Sequence, residues 1–349
     1  MKSLNLFFAL FLCLNFFVSG QDIHFSQYYA APVFLNPALT ANVNGVFRAA
    51  ANYRNQWFLI PTQNLRAPYQ TIQGSFDMPI LRDRLGNNGF GFGINVYHDR
   101  AGNGVLTTTT ALASIAYHQA VDRFGRSRFS LGLQAGVTNK AINLNNLLFE
   151  SQFDQSIGFW NENLSNQESP IDNTSIIYPT VNVGVLWASH PKNQFRYYLG
   201  YAANNVSRPR ESFLNDPRNR LQIRHVVHAG MEIFTSRDMN FSFSPMFLFM
   251  IQNIAQAYQA GLGFNYEHTD ELGFFGSVSN RFSPGNPDAV IVGFGVEFYN
   301  VRLGISYDFN YSGLRTATRA QGAAEVGAVY IFRKEKTGPI QYSKYCPVF

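Results

Sequence analysis

"GFGFGINVYH", Gly89 to His98, decides between two readings of this chain. A dinucleotide-binding fingerprint needs G-x-G-x-x-G between a strand and a helix. Here Gly89, Gly91 and Gly93 run on into Ile94 and Asn95, with no helical pattern behind them. The stretch has a period of two instead. Phe90, Phe92, Ile94 and Val96 share one side, and Gly91, Gly93, Asn95 and Tyr97 the other. Alternate residues of an extended chain point to opposite faces, so this is a strand with one apolar face and one small or polar face.

The pattern recurs. "SLGLQAGVT" sets Leu131, Leu133, Ala135 and Val137 against Gly132, Gln134, Gly136 and Thr138. "YQAGLGFNYE" sets Leu262 and Phe264 against Gln259, Gly261, Gly263 and Asn265. "VRLGISYDF" sets Leu303 and Ile305 against Arg302, Gly304, Ser306 and Asp308. A soluble sandwich also alternates, but its polar face meets bulk water and tolerates dense charge. Glycines and amides suit the confined lumen of a transmembrane barrel whose apolar face meets lipid. The segments have the length of about 9–11 residues that a tilted strand needs to cross a bilayer. Trp57, Trp187, Tyr201 and Tyr330 stand near segment ends, as interfacial girdles do.

Composition agrees. Of 349 residues 14% are charged and 15% aromatic, against roughly 25% charged in soluble domains. Mean hydropathy is only −0.12, too low for a helical membrane protein. After the leader no apolar run reaches the ~18–20 residues of a spanning helix. The net charge of +5 is scattered, and no nucleic-acid-binding module accompanies it. Residues 1–20, with Lys2, an apolar run and Val18-Ser19-Gly20, read as a cleavable export signal. Its loss removes Cys13 and leaves Cys346 without an intrachain partner.

The expected fold is all-β: a transmembrane antiparallel barrel of about fourteen strands over 45–333. The strands fall near Gly45–Arg54, Tyr69–Asp77, Phe90–His98, Thr107–His118, Phe129–Thr138, Pro179–Ala188 and Phe195–Ala203. The second half supplies Ile223–Phe234, Asn240–Met250, Gln256–Glu267, Leu272–Phe282, Ala289–Phe298, Val301–Phe309 and Ala323–Arg333. With the amino end in the periplasm, the long connections Asn139–Tyr178 and Asn204–Gln222 lie outside the cell and the short turns inside. Residues 334–349 form a periplasmic tail.

The stretch 21–44 has no strand period and is interrupted by Pro32 and Pro37. Its backbone would be unsatisfied in lipid, so a short luminal plug is expected, a periplasmic tail being the alternative. Here the chain resembles a known family. His24-Phe25-Ser26-Gln27, Tyr28-Tyr29 and Leu35-Asn36-Pro37-Ala38-Leu39 are similar to the mature start of PorP/SprF proteins, outer-membrane components of type IX secretion. "YRNQW" (Tyr53–Trp57) and the closing "CPVF" (Cys346–Phe349) add to the likeness. The family usually carries a basic residue where this chain has Val348, which puts a role for a terminal charge in doubt. The resemblance implies a cleaved, multi-pass outer-membrane protein acting in secretion or in holding secreted proteins, such as gliding adhesins, at the cell surface. It implies as partners a secreted cargo or adhesin and other type IX components; the barrel reading adds outer-membrane lipid, and the scattered charge excludes nucleic acid. Asn36-Pro37-Ala38 also resembles a motif in the amino-terminal hatch of long-chain fatty-acid transporters, which makes a carrier of hydrophobic small molecules the alternative.

Two site expectations follow. The plug motif is His24, Phe25, Ser26, Gln27, Asn36, Pro37 and Ala38. The long outer loop offers Phe149, Phe153, Phe159 and Trp160 as aromatic anchors for a partner, or as a lid over the barrel mouth. No enzyme is expected. His98, Asp99, His118, His225, His228 and Ser306 are the candidates for rim hydrolysis, yet no G-x-S-x-G turn exists and "GISYD" departs at Asp308. His228 and Glu232 share a strand face and read as a hydrogen-bonded luminal pair. Asp154, Glu162, Glu168 and Asp172 match no calcium loop, and no cofactor or metal is expected.

Overall fold

A computed structural model describes residues 23–58, 68–81, 85, 87–102, 105–123, 125–143, 147, 150–154, 156, 158–161, 164, 174–192, 194–235, 240–269, 271–313 and 315–333. The leader 1–20, the tail 334–349, Phe149, Glu162, Glu168 and Asp172 lie outside the described residues.

Strict alternation over long segments leaves each strand one face to bury and one to expose, and antiparallel neighbours satisfy its backbone. The strands are β1 (Phe47–Gln56), β2 (Tyr69–Ile80), β3 (Gly89–Ala101), β4 (Leu106–Ala120) and β5 (Ser127–Ile142). Within the next connection a two-residue pair forms, β6 (Phe153–Asp154) with β7 (Phe159–Trp160). Then follow β8 (Ser175–Lys192), β9 (Phe195–Asn204), β10 (Arg224–Phe234), β11 (Phe241–Gln252) and β12 (Ala255–Glu267). The last are β13 (Leu272–Ser283), β14 (Asn286–Phe298), β15 (Val301–Asn310) and β16 (Gln321–Phe332). All but β6 and β7 pair in sequence order, and β1 closes on β16, giving a fourteen-stranded barrel with no free edge.

Facing follows the sequence period. Leu133, Leu262, Phe264 and Ile305 are 45%, 47%, 40% and 60% exposed on the outer wall, while Gln134 and Gln259 are buried inside. Aromatic side chains gather at both ends of that wall. Phe249, Tyr258 and Phe282 stack at one rim, with centroids 4.6 and 5.3 Å apart. Phe47 packs against Phe76, Tyr330 and Phe332 at the other. Such belts mark the two bilayer interfaces. Leu262 sits midway along β12, so Leu262→Arg is expected to cost about 2–4 kcal/mol in urea unfolding from lipid vesicles, and Leu262→Phe almost nothing. Equal losses would reverse the facing.

The connections are unequal at the two rims. At one rim lie the strand ends that bound the gaps 57–68, 143–174, 205–223 and 311–320, together with the short gaps 102–105, 253–254 and 284–285; at the other rim no gap between strands is longer than 81–88. The strands outrun their expected ends, which shortens the longest connection from Asn139–Tyr178 to 143–174. Trp57 departs from the girdle expectation. Its φ is +61°, a left-handed bend, and it lines the hollow at the long-loop rim beside Tyr69.

Candidate functional site in the barrel lumen

Residues 23–46 run lengthwise inside the barrel, from Ile23 at the long-loop rim to Val43 and Gly45 beside Ile331 and Phe332 at the other. The prolines build its shape. Pro32 and Pro37 each start a single turn, at Pro32–Leu35 and Pro37–Leu39, where a missing N–H costs nothing. Asn36 between them is extended, as a residue before proline prefers, and its side chain caps Ala38 N at 2.9 Å.

Three polar tethers hold this segment, each from inward positions of the strands. At the top, Ser26 Oγ accepts from Arg54 Nη1 at 2.6 Å and Arg281 Nη1 at 3.1 Å, and donates to Asp308 at 2.8 Å. Asp308 also pairs with Arg54 and Arg281, both at 2.9 Å. Glu325 accepts the backbone N–H groups of Ser26 and Gln27 at 2.8 and 2.9 Å and pairs with Arg54 at 3.2 Å. Two cations and two carboxylates are thus buried around one serine, a balanced set that low dielectric permits only when every member is paired. The register shifts at Arg281/Phe282 and Tyr307/Phe309 flank two of the four charges, where bulges re-aim side chains.

In the middle, Asn36 Nδ2 donates to Val185 O at 3.1 Å and lies 2.9 Å from His228 Nε2. At the bottom, Asp77 joins Arg48 at 2.7 Å and accepts Ala41 N, while Arg48 Nη2 donates to Leu39 O at 2.9 Å. His118 Nε2 donates to Thr40 O at 2.8 Å, because a carbonyl can only accept. Its Nδ1 therefore accepts from Ser130 Oγ at 2.7 Å. This Ser–His contact is buried and spent on holding Thr40, an orientation that positions backbone.

The luminal glycines clear the way for this segment. A Cβ at Gly91 would meet Ala41 Cβ at 2.5 Å, and at Gly132 the Pro37 carbonyl carbon at 2.2 Å. At Gly184 it would meet Asn36 Oδ1 at 1.9 Å, and at Gly304 Gln27 Oε1 at 2.6 Å. Gly91 and Gly93 of the opening stretch are therefore wall, thinned where Thr40 and Ala41 pass.

All seven residues of the plug motif come together in or beside the lumen, where Phe25, Ser26, Gln27, Asn36 and Ala38 are buried. His228 does not pair with Glu232. It meets Asn36, while Glu232 is bonded to Arg196 and Ser242, at 3.1 and 3.0 Å. A four-residue separation on a strand spreads two side chains too far apart for a hydrogen bond. His98 and His225 stand on the outer wall, bonded to Thr109 and Tyr201, and Ser306 accepts from Gln27. In the long connection Phe153 is 38% exposed, and the backbones of Phe153 and Trp160 face each other across the β6–β7 pair, as do those of Asp154 and Phe159. The luminal charges Arg48, Arg54, Asp77, Arg281 and Glu325 escaped the sequence reading, although each carries a signal: a charge on the inward phase of a strand.

Solved barrels share this outline at low identity. The chain is similar to the Ralstonia pickettii toluene transporter TbuX, at 13% identity over 87% of this chain and 94% of that one, TM-score 0.48. It is similar to a Pseudomonas aeruginosa FadL homologue at 11% identity over 87% and 94%, TM-score 0.49. CdiB from Acinetobacter baumannii aligns at 8% identity over 82% and 60%, TM-score 0.46. No curated protein matches the chain. The family model described as type IX secretion system membrane protein PorP/SprF matches residues 17–330, from before the tethered segment almost to the end of the closing strand. With that match joined to a closed barrel and an inner segment built on the family-like motif, this chain belongs to the PorP/SprF family of type IX secretion system membrane proteins.

Proposed function

We propose that this outer-membrane barrel holds a secreted protein, such as a gliding adhesin, at the cell surface through its long-loop rim, and does not pass cargo through its lumen. The carrying observation is the inner segment. It is tied at three levels to strands on several sides of the lumen, so a polypeptide would have to break buried ion pairs to pass. Every connection between barrel strands longer than eight residues falls at one rim, although the two-residue turns 253–254 and 284–285 also lie there, and this supports setting that rim outside the cell and the other in the periplasm. The gap 143–174 exceeds ordinary loop length, and its sequence offers Phe153, Phe159 and Trp160 as candidate anchors. The role is binding, not catalysis, and its partners are the held protein and other components of the secretion system.

A carrier of hydrophobic molecules would need an apolar path. Part of the inner wall is apolar, at Leu186, Tyr198, Val226, Met246 and Leu248, but Tyr28, Leu35, Ala38 and Leu39 of the inner segment pack against it, and Gln73, Asn95, Ser114, Gln134 and Asn182 line the wall elsewhere, which disfavours that reading.

Trp160→Ala tests the proposal in cells. The variant should reach the membrane at normal levels while the secreted protein appears in the medium, since an aromatic anchor contributes ≥2 kcal/mol, roughly thirtyfold in affinity. Surface retention that survives shortening of the whole 143–174 connection would refute it.

A further inference from the structure

The short-turn rim contains a hollow that the tethers do not use. Its enclosed part is about 30 Å³ within a concavity of about 560 Å³, between Tyr29 and Pro32 of the inner segment and the ends of β14, β15 and β16. By the same measure a bound water needs roughly 10–15 Å³, so the enclosed part accepts two waters or one carboxylate head. Phe275, Val329 and Ile331 make it apolar. Among its lining residues cations outnumber acids. Arg48 is satisfied by Asp77, but Arg302 and Arg333 share Glu297, the single carboxylate among the lining residues, at long distances of 3.4 and 3.3 Å. Of the acids outside the lining, Glu267 interacts with both Glu297 and Arg333, and Glu232, farther along the lumen, is held by Arg196 and Ser242.

Arg302 is built to receive something more. Its guanidinium lies over the Phe275 ring at 3.8 Å, and Nη2 donates to Asn265 Oδ1 at 2.9 Å. Both contacts fix its plane, yet its Nε is buried with no hydrogen-bond acceptor. A buried charged donor left unmade is costly, and the natural acceptor for a fixed guanidinium edge is a carboxylate. Stacking and a locked fork are the features that separate such a site from a solvated arginine.

We propose that this hollow is a carboxylate-binding site for a periplasmic polypeptide. The carboxylate meets Arg302 Nε in the enclosed part, Arg333 screens its charge, and the neighbouring apolar side chain covers Val329 and Ile331 in the wider concavity. The site rests on the rim orientation given above and is independent of what the outer loops hold.

The test uses the purified full barrel in micelles with methyl-labelled valine and isoleucine. The probes are the tripeptide Ala-Ala-Phe with a free carboxylate and its C-terminal amide. The acid should shift the Val329 and Ile331 methyl signals saturably, and the amide should bind about tenfold more weakly or worse. Arg302→Gln should cause the same loss. Should that variant fail to run as a folded barrel in unheated gels, Asn300→Trp fills the mouth while keeping Arg302, and it should abolish the shifts. Equal binding of acid and amide overturns the proposal, as does undiminished binding by Asn300→Trp. Tighter binding of free 3-phenylpropanoate than of the tripeptide also overturns it, because the occupant would then be a small molecule.

Discussion

Asp308→Leu is expected to destabilise the barrel by about 3–5 kcal/mol, measured by urea unfolding from lipid vesicles. The substitution removes the carboxylate that faces both Arg54 and Arg281 at 2.9 Å and leaves Glu325 as the remaining acid beside Arg54. The Asp308 side chain is 1% exposed, so water cannot replace what is lost. Arg281 then keeps only Asp288, whose side chain is 38% exposed, so adding Arg281→Met to Asp308→Leu removes an under-paired buried cation and should recover part of the loss. A loss below about 1 kcal/mol would match an exposed ion pair and mean that the network is hydrated. The same variant should loosen the inner segment, since Ser26 Oγ loses its carboxylate acceptor.

Gly132→Val should convert a closed barrel into a conducting one. The new Cβ would stand 2.2 Å from the Pro37 carbonyl carbon and 2.3 Å from Ala38 N. Both are backbone atoms of a segment held by two prolines, so no flexible side-chain end can yield. Gly132 lies in the inward phase of β5, and its outward neighbours Leu131 and Leu133 still face lipid, so the wall can close while the segment is displaced. In planar bilayers the parent protein should stay near its closed baseline, and the variant should show stepwise openings. Gly74→Val is the control, because a Cβ there meets nothing within 4 Å. If Gly132→Val folds and remains closed, the inner segment does not depend on the gap the glycine leaves.

Most of the wall was legible from sequence. The side-chain period of a strand is a local property, so "GFGFGINVYH" declares its two faces without reference to any other segment. The same logic assigned Leu133, Leu262, Phe264 and Ile305 to the outside, and it found all fourteen barrel strands with only their ends misplaced. Ends are harder because ladder pairing continues past the apolar stretch: β8 begins at Ser175, where Ala141 of β5 still offers it a partner.

What the chain could not declare locally is which inward residues meet. Ser26 finds Arg281 and Asp308 from more than 250 positions away, and Arg54 reaches Asp308 because β1 closes on the far end of the barrel. His228 had a plausible partner on its own strand in Glu232, yet the inner segment brought Asn36 to it instead. The glycines show the division most clearly. Sequence assigned Gly91 and Gly132 to the inner face, because alternation is set residue by residue along one strand. Only barrel closure, which fixes how far each wall stands from the segment threaded inside it, turned that inner face into the imprint of Ala41, Pro37 and Asn36.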